Sequence, residues 1–324
     1  MSAILKTWAG LDIGTNSVKL LVARPVAAND GTLTLDVLVH DVTITRMGEG
    51  LNATGRLGDA PVERTIEAVR VFLGVARAHG AEGFSAAGME AFRRADNGHE
   101  VARRIETATG VPVRILTGPE EAALGREGVL AGFGERLAGP TLVCDPGGGS
   151  TELALTDPRW EVSLPLGAVV CTESFLRGDP PSADELMALR SNAREAVERA
   201  WRGSPRPQDR PTVVAVGGTA TACASMLMRL GDWDPERVHR ATLTLDEIET
   251  LTDHLAAMTL ARRREVVGLS PARAPVIVGG TVLLEAVLQT VGALSLRVSL
   301  ANLLHAFVLR EASEACTGSR AANA

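Results

Sequence analysis

The chain has 324 residues, of which 45% are hydrophobic and 22% charged, and it carries a formal net charge of −6. This is the balance of an ordinary globular protein with length enough for two domains. Its acidity excludes a general nucleic-acid binder, so an anionic substrate has to be met by a local cluster of Arg and Lys. The cysteines Cys144, Cys171, Cys223 and Cys316 show no CxxC spacing, and no charged-then-apolar leader precedes Asp12. The expected compartment is therefore a reducing cytoplasm.

In chain order, Trp8 to Ile13 and Val18 to Val26 read as two strands of a hairpin, with Asp12-Ile13-Gly14-Thr15-Asn16-Ser17 at its turn. Lys19 faces either a ligand or solvent. Leu33 to Ile44 alternates apolar and polar residues as a third strand, and Thr45 to Gly50 closes it with a turn carrying Arg46, a candidate phosphate ligand. Ala60 to His79 has the helical spacing Ile66, Val69, Phe72, Leu73, Ala76 and reads as a crossover helix. Phe84 to Met89 is a further strand. Behind it stands Arg93, at a junction where a guanidinium fork can reach phosphate.

Val113 to Leu116 reads as a strand, and Pro119 announces a helix after it. Thr117-x-x-Glu120 fits a capping box, which gives Glu120 a local task; Glu121 has none. Leu142 to Cys144 is a short buried strand that runs into Asp145-Pro146-Gly147-Gly148-Gly149-Ser150. Consecutive amides in such a turn form an anion-binding concavity suited to phosphate. Asp145 beside a phosphate is tolerable only with a divalent cation or a water network between them, which suggests Mg²⁺. The same Asp-x-Gly-x-x-Ser pattern stands at Asp12, and 145 minus 12 gives an offset of 133 residues. Strand alternation places Glu152 on the face of Ser150.

Trp160 to Leu166 follows as a strand, then helices from Gly167 to Phe175 and from Asp184 to Trp201, then a proline-rich loop from Gly203 to Pro211. Val213 to Val216 leads into Gly217-Gly218-Thr219 at the start of a helix, where free amides suit an anion. Ile277-Val278-Gly279-Gly280-Thr281 repeats that strand-and-turn design, its glycines read as permitting close packing. Glycines, Glu285 and Gln289 break the apolar run from Pro275 to Leu296 into strand, turn and buried helix, not a membrane span. The small, polar segment Glu311 to Ala324 reads as disordered.

The paired turns look like the duplicated fold of actin, the sugar and acetate kinases and the heat-shock chaperone ATPases. The expected class is α/β, with two ribonuclease-H-like lobes around a central cleft. The first lobe would span 1–123 and the second 124–299, with a last helix at about 300–313 packing back on the first and a tail at 314–324. Asp-x-Gly-x-Asn-Ser, Arg-x-Gly-Glu-Gly, Ala-x-Arg-x-Ala-x-Asn, Gly-x-Glu-Glu-Ala and Asp-x-Gly-Gly-Gly-Ser-Thr-Glu, in that order, resemble the exopolyphosphatase and guanosine pentaphosphate phosphohydrolase family.

That resemblance implies a hydrolase releasing terminal phosphate from polyphosphate, in short chains, or from guanosine pentaphosphate, and working as a homodimer. Glu121 falls on the family's general base, and Glu152 on a second glutamate that holds the metal or the attacking water. Asp12, Asp145 and Glu152 would bind Mg²⁺. Gly14, Thr15, Asn16, Ser17, Arg46, Arg93, Gly147, Gly148, Gly149, Ser150, Thr151, Gly217, Gly218 and Thr219 would meet substrate.

Three places depart from the family pattern. Met89-Glu90 stands where a Thr or Ser is usual. Leu300 to Ala306 replaces a Gly-Leu-Arg-Glu-Gly motif, and Arg273-Ala274-Pro275 replaces Arg-Ala-Asp. The chain is too short for the helical HD domain of longer members, and His40-Asp41 alone makes no metal site. A kinase of the same superfamily and a non-catalytic sensor of a phosphorylated nucleotide remain alternatives.

Overall fold

The computed structural model describes residues 6–27, 33–133 and 137–310. The expected disordered tail and Cys316 lie outside the described residues. The chain divides into two compact units, Met1–Gly134 with Ala301–Ala324, and Glu135–Leu300.

The first unit is built on a five-stranded sheet of β1 (Trp8–Ile13), β2 (Ser17–Ala27), β3 (Leu33–Ile44), β4 (Gly83–Gly88) and β5 (Val113–Ile115), in the order β3-β2-β1-β4-β5. β1, β2 and β3 form an antiparallel meander, and β4 and β5 extend it in parallel from β1. Between them run α1 (Leu51–Thr54), α2 (Asp59–Ala78), α3 (Glu90–Arg94) and α4 (Gly98–Thr109), and after β5 comes α5 (Gly118–Gly132). Alternation along β2 sends Leu20 and Val22 to one face and Leu21 and Ala23 to the other. The first pair packs with the α2 stripe of Ile66, Val69, Phe72 and Leu73. The second packs with Leu124 of α5 and with Leu303, Leu304 and Phe307 of α13, a helix over 303–310. A break after residue 123 would cut through α5, a continuous helix, and the unit runs on to Gly134.

The second unit carries six strands in the order β10-β11-β9-β6-β7-β8. β6 (Thr141–Pro146), β7 (Thr151–Leu155) and β8 (Trp160–Leu164) form the meander, β9 (Thr212–Ala215) and β11 (Ser295–Val298) add in parallel, and β10 (Thr242–Thr244) edges the sheet. The arrangement β8-β7-β6-β9-β11 repeats β3-β2-β1-β4-β5, so the duplication read from the turns extends to strand order. The helices are α6 (Ala168–Phe175), α7 (Ala183–Arg202), α8 (Gly217–Leu227), α9 (Pro235–Val238), α10 (Leu245–Ala256), α11 (Leu260–Arg263) and α12 (Ile277–Val291).

α12 differs from its sequence reading. No strand forms at Ile277-Val278, because the helix starts there and Gly279 and Gly280 lie inside its first turn. Those glycines do permit close packing: a Cβ on Gly279 would stand 2.7 Å from the Ala168 carbonyl, and one on Gly280 2.5 Å from the Thr219 hydroxyl. The first twelve residues of α12 are buried, so its apolar run is the axis of this core. No helix among the described residues is long and apolar enough to cross a membrane.

Candidate active site

The parallel strands β1, β4 and β5 end side by side at Ile13, Gly88 and Ile115, and the residues that follow them are the candidate catalytic ones. In the first turn the Gly14 N–H donates to the Ser17 carbonyl at 3.0 Å, while the Thr15 and Asn16 carbonyls accept from the N–H groups of Gly48 (2.8 Å), Thr45 (3.1 Å) and Arg46 (3.0 Å). Each planar peptide points its N–H opposite its carbonyl. The amides of Asn16 and Ser17 therefore face away from the 45–48 loop, as an anion site requires. Arg46 has an exposed side chain and holds φ 52, a left-handed conformation costing a non-glycine residue about 1–2 kcal/mol, and these bonds hold it there.

Asp12 is buried, and its Oδ2 accepts from Lys19 Nζ at 2.8 Å, which settles where Lys19 points. Its Oδ1 is buried without a hydrogen-bond partner among the described residues.

After β5, Thr117 caps α5 with both halves of the capping box in place. Glu120 accepts from the Thr117 N–H (2.8 Å) and from Arg114 Nη2 (2.9 Å). The Thr117 backbone bond is the main reason the Glu120 carboxyl lies below its ordinary range. Glu121, one residue on, is directed elsewhere: its Oε2 accepts from Arg93 Nη1 at 2.7 Å. Arg93 was expected at a phosphate. It instead donates through Nη1 also to the Leu116 carbonyl (2.7 Å), and through Nε (3.0 Å) and Nη2 (2.8 Å) to Glu90. Burial opposes the Arg93 charge, but Glu121 and Glu90 outweigh it and raise the guanidinium above its ordinary value.

In the second unit β6, β9 and β11 likewise run parallel, with the turn Gly147–Ser150 following β6. Gly147 N–H donates to the Ser150 carbonyl at 2.9 Å, and the carbonyls of Gly147 and Gly148 accept from Ala168 (2.8 Å) and Val169 (2.9 Å) at the start of α6. The amides of Gly148 and Gly149 thus face away from that helix. Gly167 makes this approach possible, since a Cβ there would lie 2.4 Å from the Gly148 carbonyl.

Asp145 and Glu152 stand directly opposite on the β6–β7 ladder, on one face of the sheet. The equivalent pair in the first unit is Asp12 and Lys19. One hairpin neutralises its aspartate internally, whereas the other sets a second carboxylate against it. Glu152 is buried and accepts from Ser163 Oγ at 2.7 Å. Gly217, at φ 82, leaves room for Asp145: a Cβ would sit 2.3 Å from Asp145 Oδ1.

Arg273, noted in the sequence only for the carboxylate missing after it, has its guanidinium against Gly218, 2.1 to 2.2 Å from where a Cβ would be. Burial lowers its pKa, and the attraction of Asp145 opposes that shift. No local pattern signalled this, since the contact joins segments more than fifty residues apart. Two expected substrate contacts have structural tasks. The Thr151 hydroxyl is fully buried and donates to the Leu166 carbonyl at 2.6 Å, and the Thr219 hydroxyl donates to the Pro146 carbonyl at 3.4 Å.

Among the described residues no group of three or more His, Cys, Asp or Glu could hold a metal. The Asp145 and Glu152 pair nevertheless fits Mg²⁺, which keeps several waters and takes one or two carboxylates together with substrate phosphates. Like charges directly opposed on a ladder are destabilising unless something offsets them, and here the Arg273 charge attracts Asp145 while the Ser163 hydroxyl donates to Glu152. Asp12 fits less well, because Lys19 already meets its charge.

Two mixed sheets of matching order, each with helices and each presenting a phosphate-type turn, define an α/β protein of the actin-like two-domain class. Residues 25–314 match the model of the Ppx/GppA phosphatase family. The chain belongs to that family and is a phosphoanhydride hydrolase. It is 30% identical over 284 residues to exopolyphosphatase 2 of Mycobacterium tuberculosis, covering 86% of this chain and 88% of that one. Exopolyphosphatase 1 of Mycobacterium bovis is 29% identical over 320 residues, covering 95% and 89%. Among solved structures, an exopolyphosphatase-like protein aligns with a TM-score of 0.84 at 30% identity, covering 95% and 98%. The Aquifex aeolicus member of the Ppx/GppA family aligns at 0.77 and 28%, covering 96% and 98%.

Proposed function

We propose that this hydrolase uses Mg²⁺ to release the terminal phosphate of inorganic polyphosphate, in short chains, or of guanosine pentaphosphate. The observation that carries the reading is the Asp145 and Glu152 pair, two carboxylates held in register beside a turn whose amides face outward. The two curated relatives compared above are exopolyphosphatases. Bound Mg²⁺, held by Asp145 and Glu152, would neutralise non-bridging phosphate oxygens. The outward-facing amides of Asn16 and Ser17 in the first unit, and of Gly148 and Gly149 in the second, would each donate to phosphate oxygens, with Arg46 and Arg273 adding positive charge to their own units. Glu121 accepts the proton of a water as its oxygen attacks the terminal phosphorus. The bond from that phosphorus to the bridging oxygen breaks, and the shortened chain leaves with the bridging oxygen's electron pair.

The experiment is phosphate release across polyphosphate chain lengths beside guanosine pentaphosphate, at a series of Mg²⁺ concentrations and with and without a hydroxyl acceptor. Release that needs Mg²⁺ and no acceptor is expected. Turnover only with an acceptor would make the protein a kinase, and binding without turnover a sensor.

A further inference from the structure

We propose that Glu90 is a positioning residue for this hydrolysis: it holds Arg93 as a brace for Glu121 and withholds that arginine from the substrate. The proposal rests on the reading of Glu121 as general base. Glu90 and Arg93 lie three residues apart on α3, on one helix face, and Arg93 bridges from there to Glu121 at the start of α5. A guanidinium has five N–H donors. Four bonds are formed here: Nε and Nη2 to Glu90 Oε2, and Nη1 to Glu121 Oε2 and to the Leu116 carbonyl.

This geometry has two consequences. With both edges of its fork engaged, Arg93 has no pair of donors left for the two-pronged grip that phosphate recognition favours. The brace also fixes the orientation of Glu121, because Arg93 is anchored on the far side and cannot rotate without breaking its bonds to Glu90. Glu90 is itself 8% exposed, and a buried carboxylate is retained only where it is paired. The guanidinium is that partner. The cluster holds one cation and two carboxylates, Glu121 among them, so Glu90 cancels the positive charge that Arg93 would otherwise bring to the base and its polyanionic substrate.

The test compares the wild type with E90S and E90Q on tripolyphosphate with Mg²⁺, reading kcat, KM and the salt dependence of KM, with calorimetric binding of tripolyphosphate as a readout independent of turnover. E90S releases two Arg93 donors and the brace together. Binding is expected to tighten by about tenfold, the scale of one charge-assisted hydrogen bond, and to become steeper in salt. The kcat is expected to fall by roughly 10- to 100-fold as Glu121 loses its fixed orientation. E90Q keeps an acceptor oxygen without the charge, so it should fall between the two, and it carries the test if E90S does not fold. A kcat loss with binding and salt slope unchanged in both variants would make Glu90 a merely structural residue and overturn the proposal. Absence of turnover in the wild type would instead overturn the hydrolase reading, and the calorimetry would still report whether Arg93 had been released.

Discussion

Gly217→Ala tests the link between the β9 turn and the proposed metal carboxylate. At φ 82 an alanine pays the left-handed penalty, about 1–2 kcal/mol. For a unit of this size that lowers Tm by roughly 2–8 °C. The added Cβ would also lie 2.3 Å from Asp145 Oδ1, so the carboxylate must withdraw by about 1 Å to reach ordinary contact. Asp145 can give way because it is the end of a side chain, and the unit should still fold. Its displacement should raise the Mg²⁺ concentration for half-maximal phosphate release at least about tenfold and cut the rate by roughly 10². Gly139→Ala is the control: φ is 69 there, but nothing stands within 4 Å of its added Cβ. It carries the backbone strain without the contact. Thermal melts and Mg²⁺ titrations of both variants give the answer, and an unchanged Mg²⁺ requirement in Gly217→Ala would refute the assignment of Asp145.

Glu121→Gln should lower turnover by roughly 10² to 10⁴ with binding nearly intact, whereas Glu120→Gln should leave the rate alone, because Gln still serves the capping box; steady-state kinetics on the pair decide it. Arg46→Ala should weaken substrate binding more at low salt than at high, and Arg46→Gly should do the same while raising stability by about 1 kcal/mol through relief of the left-handed strain, read by salt titration and denaturant melts. Burial raises the Glu285 carboxyl above its ordinary 4.5 despite the bonds from Arg190. The folded state then holds a proton that the unfolded chain has lost, so this group subtracts stability as pH rises from 4.5 through its folded value. Glu285→Gln should remove that slope from Tm measured between about pH 4.5 and 7, and an unaltered slope would show that Glu285 does not cause it.

Much of this architecture was legible because its signals are local. Asp-x-Gly-x-x-Ser marked both turns, alternation marked β3 from Leu33 to Ile44, and Thr117-x-x-Glu120 marked a capping box that forms as read. The same locality produced the error at Ile277-Val278: an apolar pair before two glycines looks alike whether it ends a strand or starts a helix, while Gly279 and Gly280 do pack closely, against Ala168 and Thr219. α4 and α10 were not read at all, although α10 begins with a Thr244-x-x-Glu247 capping box. Lys19 and Arg273 could not be assigned partners, because each meets its partner through the folded chain; Glu90 and Arg93 pair locally on α3, and what the sequence did not show there is the bridge on to Glu121. For Glu90 the sequence showed a missing hydroxyl, and the structure showed what the carboxylate does instead.

The position of α13 bears on how the chain comes to be folded during synthesis. Leu303, Leu304 and Phe307 cover one face of a sheet whose strands all lie before residue 116. The whole second unit, Glu135–Leu300, is translated between them. At about 5–20 residues per second this delay is roughly 10–30 s. During that time Leu21, Ala87 and Leu116 have Leu124 of α5 but not Leu303, Leu304 and Phe307, while the later-made unit has every strand it needs in one continuous stretch. The first unit, whose strands are all made first, therefore completes its core only when α13 has been made and released from the ribosome.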